Sequence, residues 1–460
     1  MTPQPQLEVP GPSELQFPLP TRTIPHNTRV GNIAGTFAHL EPLTATSPRT
    51  IRIALAGCGV VGGGLVRLLH DSASSIACRY GVRFVITTVL VRDTTRDRKL
   101  PINSSLFTND LDSFLAKDAD VVIEAVGGHE PARTIAITTL RLGRKLITAN
   151  KELIAAHGET LAELATDNGT GLDFGAAVGG SAPVISTLRD LVGASAPLAV
   201  RGILNGTSNY VISQLESGVS LDDAIADARD RGLAEADCGR DLDGCDAAAK
   251  LSIIGWIAFG IPPSQLNVRR ISLLPGIEHL VRLAAKQRAH VRLIGECTQL
   301  SAGRVAASVE PVIVSSSSAF ARTTLEENRV EVDLGWTSPL SVSGPGAGGA
   351  PTAAALLSDL VRTSPPANER GAAGVQFESV ADPRQQRWLI AARVETGTLR
   401  AVVENAGVEV ADELRDGEVA CVVTGPCPWN RLHRVIQELG RANALPSLAR
   451  YELDAEEVLR

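Results

Sequence analysis

Apolar and polar positions alternate along this chain in two distinct regimes. The run Ile51-Arg52-Ile53-Ala54-Leu55-Ala56 has the length of a buried parallel strand and leads straight into Gly57. Leu65, Leu68 and Leu69 then recur at helical spacing, which predicts a helix over Val61–Ala77. Extended runs at Arg83–Val91, Val121–Val126 and Leu146–Ala149 alternate with helical stretches at Leu111–Ala116, Arg133–Leu142 and Glu152–Asp167. Strands that alternate with helices require crossover connections, so residues 51–180 are expected to form a Rossmann-type doubly wound α/β sheet. From Ser181 the rhythm changes. Helices are expected at Pro183–Val192, Tyr210–Gly218, Leu221–Arg231 and Gly244–Phe259, with extended runs at Val291–Gly295, Arg304–Val314 and Arg329–Leu334. That mixture predicts an α+β domain over 181–340. A glycine-rich turn and a helix, Thr352–Val361, make 341–365 a return segment. Polar residues from Thr363 to about Pro383 read as a linker, and 385–455 reads strand-helix-strand-strand-helix-strand, a ferredoxin-like module. Residues 1–50, rich in Pro and Thr without periodicity, are expected to be a disordered arm.

Composition narrows the function classes. A formal charge of −7 and only 3% aromatic residues disfavour nucleic acid, which calls for a basic surface and stacking platforms. The longest apolar run, Leu251–Ile261, is interrupted by Gly255 and stops at Pro262, so no membrane span is expected. Seven scattered cysteines without CxxC pairs predict free thiols in a reducing compartment, hence the cytoplasm, and no secretory signal is expected at the N-terminus.

Candidate chemistry begins where the first strand ends. Gly57-Cys58-Gly59-Val60-Val61-Gly62 is a GxGxxG between a strand and a helix. Its glycines suit a tight turn and close approach of a pyrophosphate, and the free N–H groups of the helix start favour the phosphates, so NADP or NAD is expected. Arg92, at the end of the second strand, favours the 2′-phosphate of NADP, whereas the neighbouring Asp93 suits NAD. Lys151 follows the carboxyl end of a strand, where such sheets bind ligands. Asn205-Gly206-Thr207 forms a polar turn that opens a helix and is read as presenting its donors to something small and anionic. Asp246 and Lys250 lie four apart on one helical face. They form either an ordinary surface pair or, since Leu251, Ile253, Ile254, Trp256 and Phe259 bury most of that helix, a functional one.

In order along the chain stand Gly57–Gly62, Glu124–Gly128, Thr148-Ala149-Asn150-Lys151, Gly202–Tyr210, Ala234-Glu235-Ala236-Asp237, Asp241–Lys250 and Gly344–Gly348. With these motifs the chain resembles the homoserine dehydrogenase family over roughly two thirds of its length. The resemblance implies reversible interconversion of homoserine and aspartate 4-semialdehyde with a nicotinamide cofactor. It implies that Lys250 donates and accepts the proton and that Lys151 orients the substrate. Glu235, Asp246 and Asp241 would hold the amino-acid substrate, while Val126, Gly127, Gly232 and Gly348 would line the cofactor. It further implies a dimer or higher homo-oligomer formed through the second domain's sheet. Two other readings remain open: a divergent paralogue acting on another small amino-acid aldehyde, and an inactive NAD(P)-binding sensor.

The sequence also departs from the family. Where members carry a glutamate in a sodium-binding loop, this chain has Gly175; the backbone positions Val178, Gly180 and Ala182 match the remaining ligands. Cys238 replaces the proline that usually follows Ala-Glu-Ala-Asp. The tail resembles an ACT-like module, which implies either an amino-acid effector such as threonine or a merely structural oligomerisation module.

Overall fold

The computed structural model describes residues 48–452 apart from 194–195, 235–238, 302, 347, 363–377, 380–381, 383 and 443. Most of the expected arm, most of the expected linker and Glu235 therefore lie outside the described residues.

The nucleotide half runs β1 (Arg49–Ala56), α1 (Val60–Asp71), α2 (Ala73–Tyr80), β2 (Val82–Leu90), β3 (Phe107–Thr108), α3 (Leu111–Ala116), β4 (Val121–Glu124), α4 (Ala132–Arg141), β5 (Lys145–Thr148), α5 (Lys151–Asp167) and β6 (Leu172–Asp173). Its six parallel strands lie in the order β3-β2-β1-β4-β5-β6. Strand β1 begins at Arg49 rather than Ile51, and the single helix expected over Val61–Ala77 is two, α1 and α2, meeting at Ser72. No Gly or Pro marks that break, which is why periodicity alone runs through it.

The second half runs α6 (Val184–Val192), β7 (Ala199–Ile203), α7 (Gly206–Glu216), α8 (Leu221–Asp230), α9 (Gly239–Leu242), α10 (Cys245–Phe259), β8 (Val268–Arg270), α11 (Ile277–Lys286), β9 (Ala289–Ser301), β10 (Arg304–Ser315), β11 (Glu327–Asp333) and β12 (Leu340–Pro345). Helix α10 begins after Gly244 and ends at Gly260, both with left-handed φ, and is buried over nearly its whole length. It packs on α5 through Trp256: a Cβ on Gly158 would sit 2.8 Å from that indole, so only glycine allows the two helices so close. Trp256 also stacks on Phe174, ring centroids 5.7 Å apart. Helix α12 (Gly349–Val361) returns to pack against α1, with Gly64 facing Gly349 and Ala353.

The tail runs β13 (Glu378–Ser379), β14 (Arg387–Ala392), α13 (Thr396–Asn405), β15 (Val410–Asp416), β16 (Val419–Thr424), α14 (Trp429–Arg441) and β17 (Ser447–Tyr451). Its four main strands lie in the order β17-β14-β16-β15 with antiparallel pairing throughout. They are not a detached sheet. Strand β17 pairs in parallel with β10 at Val312–Arg450 and Ile313–Tyr451, giving one sheet in the order β12-β11-β7-β9-β10-β17-β14-β16-β15, with β8 and β13 also on β10. Leu389, Ala391, Val423 and Ala449 accordingly join the same apolar core as Val291, Leu293 and Val309.

Charge reinforces that seam. Arg450, 4% exposed, donates to Glu296 Oε2 at 2.9 Å and to Glu310 Oε1 at 2.8 Å. Glu310 also accepts from Arg269 at 2.7 Å, and Glu296 pairs with Arg201 and Arg384 at 3.0 and 2.9 Å. Burial opposes ionisation of Glu296, but the three guanidinium groups hold its carboxyl well below the usual range. Removing one member leaves carboxylate buried with fewer partners. Arg450→Met is expected to lower unfolding stability by about 3 kcal/mol, measured by urea denaturation; an unchanged midpoint would mean the tail is not fastened by these charges.

Candidate active site

The glycine loop is shaped by contact on one side and openness on the other. Gly57 has φ +88, and a Cβ there would lie 2.4 Å from the Ala125 carbonyl oxygen. A Cβ on Gly62 would lie 2.1 Å from the Gly57 carbonyl oxygen, so the first turn of α1 can sit on the loop only because residue 62 lacks a side chain. Gly59 meets nothing within 4 Å, and no side chain caps α1. The loop therefore offers unhindered backbone and uncapped N–H groups, which is what a pyrophosphate needs. Cys58 is buried in the apolar core behind it, and Val60 is exposed. Arg92, just past β2, is exposed. Asp93 turns back on its own loop, its Oδ1 accepting from the Thr95 N–H at 2.8 Å and the Thr95 hydroxyl at 2.7 Å. The Thr95 hydroxyl, then its N–H, lower the Asp93 carboxyl.

Opposite the loop, the ends of β4 and β5 build a second wall. Glu124, fully buried, accepts from the backbone N–H groups of Val126 and Gly127 at 2.8 and 3.1 Å and from the Thr148 hydroxyl. It thus holds the 124–128 turn in shape. Asn150 caps α5 through the Leu153 N–H at 3.1 Å and donates to the Gly128 carbonyl at 2.7 Å. Lys151, the first residue of α5, consequently faces the cleft.

Two lysines from separate domains meet on one carboxylate. Lys151 Nζ lies 3.1 Å from Asp246 Oδ1, and Lys250 Nζ lies 2.8 Å from Asp246 Oδ2. Lys250 Nζ also donates to the Leu204 carbonyl at 2.9 Å. Asn205 Nδ2 donates to Asp246 Oδ2 and to Asp241 Oδ1, each at 2.8 Å. Burial would push the Asp246 carboxyl up, but the two ammonium groups and these hydrogen bonds hold it far below the usual range. Asp241 moves the other way, raised by burial and by Asp246 against the pull of Asn205. Both lysines border one cleft of about 270 Å³, together with Val61, Ala125, Val126 and Gly127 from the nucleotide half, Gly180 from the segment after β6, and Gly346 and Thr352 from the returning chain.

Other expected site residues sit differently. In the turn Asn205-Gly206-Thr207 the side chains make hydrogen bonds within the protein. Asn205 Oδ1 caps α7 by accepting from the Ser208 N–H at 2.7 Å, while Thr207 donates to the Leu233 carbonyl at 2.7 Å. A Cβ on Gly206 would lie 2.8 Å from the Glu326 carbonyl oxygen. These internal bonds brace the site, and their acceptors are distant in the chain. Gly232, with φ +71, and Gly348, with φ +115, are both exposed. Around the expected cation loop, the Ala182 carbonyl accepts from the Val184 N–H at 2.8 Å, Val178 is fully buried, and Gly180 presses on the Pro345–Gly346 backbone. Gly175 faces the carboxylate of Asp359.

Asn328 is a site residue that the sequence analysis does not reach. It is 1% exposed, and its Nδ2 donates to the same Leu204 carbonyl that holds Lys250, at 3.3 Å. Its Oδ1 has no partner among the described residues. A Cβ on Gly346 would fall 2.0 Å from its amide carbon, so the second glycine of Gly-Pro-Gly is where the chain passes over this side chain. A lone asparagine in a strand carries no periodic signal; the close-packed glycine was the only hint.

Asn205→Ala removes a helix cap and the donor shared by two acids. A stability loss of about 1–2 kcal/mol is expected, together with a fall in turnover. Circular dichroism melts and steady-state rates measure the two, and a variant with wild-type values in both would deny Asn205 its bracing role.

Comparisons with known proteins accord with this geometry. Residues 57–174 match the family model described as homoserine dehydrogenase, NAD binding domain, and residues 183–361 match the model described as homoserine dehydrogenase. A homoserine dehydrogenase of Mycobacterium tuberculosis is 36% identical over 319 residues, covering 68% of this chain and 72% of that protein. The crystal structure of a homoserine dehydrogenase from Thiobacillus denitrificans superimposes with a TM-score of 0.77 at 26% identity, over 88% of this chain and 98% of that one. A hyperthermophilic archaeal homoserine dehydrogenase in complex with NADPH shares the fold, with a TM-score of 0.57 at 21% identity over 68% of this chain and 97% of its own.

Proposed function

The chain belongs to the homoserine dehydrogenase family of NAD(P)-dependent oxidoreductases in amino-acid biosynthesis, and from that premise we propose how its residues divide the work. The reaction is the reversible interconversion of L-homoserine and L-aspartate 4-semialdehyde. The observation that carries this reading is the meeting of Lys151 and Lys250 on Asp246 in a cleft bordered by the dinucleotide-type loop.

The loop 57–62 holds the pyrophosphate, and Val126, Gly127, Gly232 and Gly348 line the rest of the dinucleotide. When bound, the nicotinamide supplies or accepts the hydride. Lys250 protonates the oxygen of the aldehyde as charge develops on it and takes the proton back in the reverse direction. Its other hydrogen bonds, to Asp246 and to the Leu204 carbonyl, fix the direction of the remaining N–H. Lys151 places a second positive charge beside the same oxygen, so the alkoxide forms in a field already arranged for it. Asp246 keeps both ammonium groups in place. The carboxylates of Asp241 and Asp246 make this end of the cleft suited to the substrate's ammonium, and the family pattern adds Glu235, which lies outside the described residues. Exposed Arg92, with Asp93 engaged by Thr95, supports NADP over NAD.

The strand-helix-strand-strand-helix-strand tail supports a ferredoxin-like, ACT-like regulatory module at 385–455 with an amino-acid effector such as threonine. The edge position of β12, near exposed Leu340 and Trp336, supports a homodimer through the second domain's sheet. Of the described residues no helix is long and apolar enough to cross a membrane. Buried free thiols at Cys58, Cys297, Cys421 and Cys427 support a cytoplasmic location and a place in threonine and methionine biosynthesis there.

Two measurements test this division. Lys250→Ala is expected to lower kcat at least about 100-fold while NADPH binding, followed by fluorescence, changes little; an unaltered rate would remove Lys250 from proton transfer. Arg92→Ala is expected to raise the KM for NADPH about tenfold and leave that for NADH near its original value. Equal effects on both cofactors would place Arg92 outside 2′-phosphate recognition.

A further inference from the structure

One buried amide stands behind Lys250 without reaching a substrate. Asn328 lies on β11, is 1% exposed, and faces Gly344 of β12 across the ladder. Its Nδ2 donates to the Leu204 carbonyl at 3.3 Å. The amide stands this way round because the flipped one would set oxygen against oxygen. A Cβ on Gly346 would fall 2.0 Å from the amide carbon and 2.1 Å from Nδ2, so the amide lies hard against the return segment.

Packing does not account for an asparagine here. A buried amide whose oxygen finds no partner among the described residues is destabilising, and leucine has the same branching without that cost. The useful atom is therefore the donor. Leu204 follows the last residue of β7, Ile203, and precedes the cap of α7, Asn205, so its carbonyl belongs to neither the ladder nor the helix. A carbonyl oxygen has two lone pairs. Lys250 Nζ donates to this one at 2.9 Å and Asn328 takes the other direction. The ammonium of Lys250 has three N–H donors. Asp246 Oδ2, at 2.8 Å, and the Leu204 carbonyl anchor two of them, which aims the third.

We propose that Asn328 is a positioning residue for the proton transfer: it fixes the Leu204 carbonyl and, through it, the direction of the Lys250 N–H that meets the reacting oxygen. Gly346 on one side of the amide and Lys250 beyond the carbonyl both border the cleft. One side chain thus sets the proton donor and the return segment relative to each other. The inference rests on the dehydrogenase reading for the identity of the reacting oxygen, and on geometry alone for the hold on the ammonium.

The chain has six lysines, few enough for each ammonium to be followed separately. Proton–nitrogen NMR of the full chain carrying nitrogen-15 lysine reads the hold without reference to turnover, the Lys250 signal being identified by its loss in Lys250→Ala. Asn328→Leu is expected to shift that signal and speed its exchange with water. Lys145, whose Nζ donates to the Arg362 carbonyl at 3.1 Å, is expected to keep its own signal. In steady-state assays the same variant is expected to lower kcat for homoserine between about tenfold and about 100-fold, with the KM for homoserine and for NADPH within about twofold. The solvent deuterium isotope effect on kcat is expected to rise, because proton transfer then limits the rate. A Lys250 signal that is unmoved, that moves together with Lys145, or that is already lost to exchange in the wild type overturns the proposal, and so does a moved signal with unchanged kcat. A moved signal in a chain that does not oxidise homoserine removes the dehydrogenase reading and leaves the hold on the ammonium standing. If Asn328→Leu does not fold, Asn328→Ala, which removes the amide without adding volume, is read by the same measurements.

Discussion

A carboxylate buried between two ammonium groups is the constraint around which this molecule is arranged. Asp246 is withdrawn from water at a cost that only close positive charge can offset, and each lysine in turn is kept in place by that acid. The triad cannot assemble within one domain. Lys151 belongs to the start of α5 in the nucleotide half, Lys250 and Asp246 to α10 in the second half. Docking of the two helices through Trp256 and Gly158 is therefore part of the geometry of this cluster as well as part of the core.

The supporting groups are mostly backbone or amide. The Leu204 carbonyl accepts from both Lys250 and Asn328, Asn205 spans two acids while capping α7, and Asn150 caps α5 so that its first residue points into the cleft. Amides hold charged groups without adding a charge of their own, so they fix direction and leave the sum of the triad unchanged. Glycines do the complementary work of letting chain segments approach. Gly62 lets α1 sit on the loop, Gly346 lets the return segment cross Asn328, and Gly349 lets α12 meet Val60.

What the sequence disclosed follows from how local each signal is. The first strand, the glycine loop and the alternation after it are carried by contiguous residues, and the six-stranded parallel sheet is the arrangement they predict. The pairing of Asp246 with Lys250 was visible as spacing, but the arrival of Lys151 at the same carboxylate rests on packing between helices far apart in the chain; only the ordered motifs pointed to it. Strand β12 was hidden because Gly344 and Pro345 read as a turn, although an edge strand tolerates proline. Helix α11 shows Ile277, Leu280, Val281 and Ala284 at helical spacing, yet it starts behind Pro275 and Gly276 in a stretch that reads as loop. Hydrogen-bond partners such as the Leu204 carbonyl leave no trace in residue type at all.

The junction of the tail with the rest was beyond any local signal, and it changes what the tail can be. Four strands with two helices would suffice for an independent unit, but β17 is hydrogen-bonded to β10 and Arg450 spans Glu296 and Glu310 on β9 and β10. Arg201, which pairs with Glu296 and Glu452, lies on β7, and β7 ends at Ile203, next to the carbonyl that holds Lys250. Sheet register and buried charge thus run without interruption from β17 to the carbonyl that accepts from Lys250. A shift of β17 along β10 would break both parallel pairings and the two buried ion pairs that Arg450 makes with Glu296 and Glu310. The tail and the active-site strand are therefore held as one mechanical body.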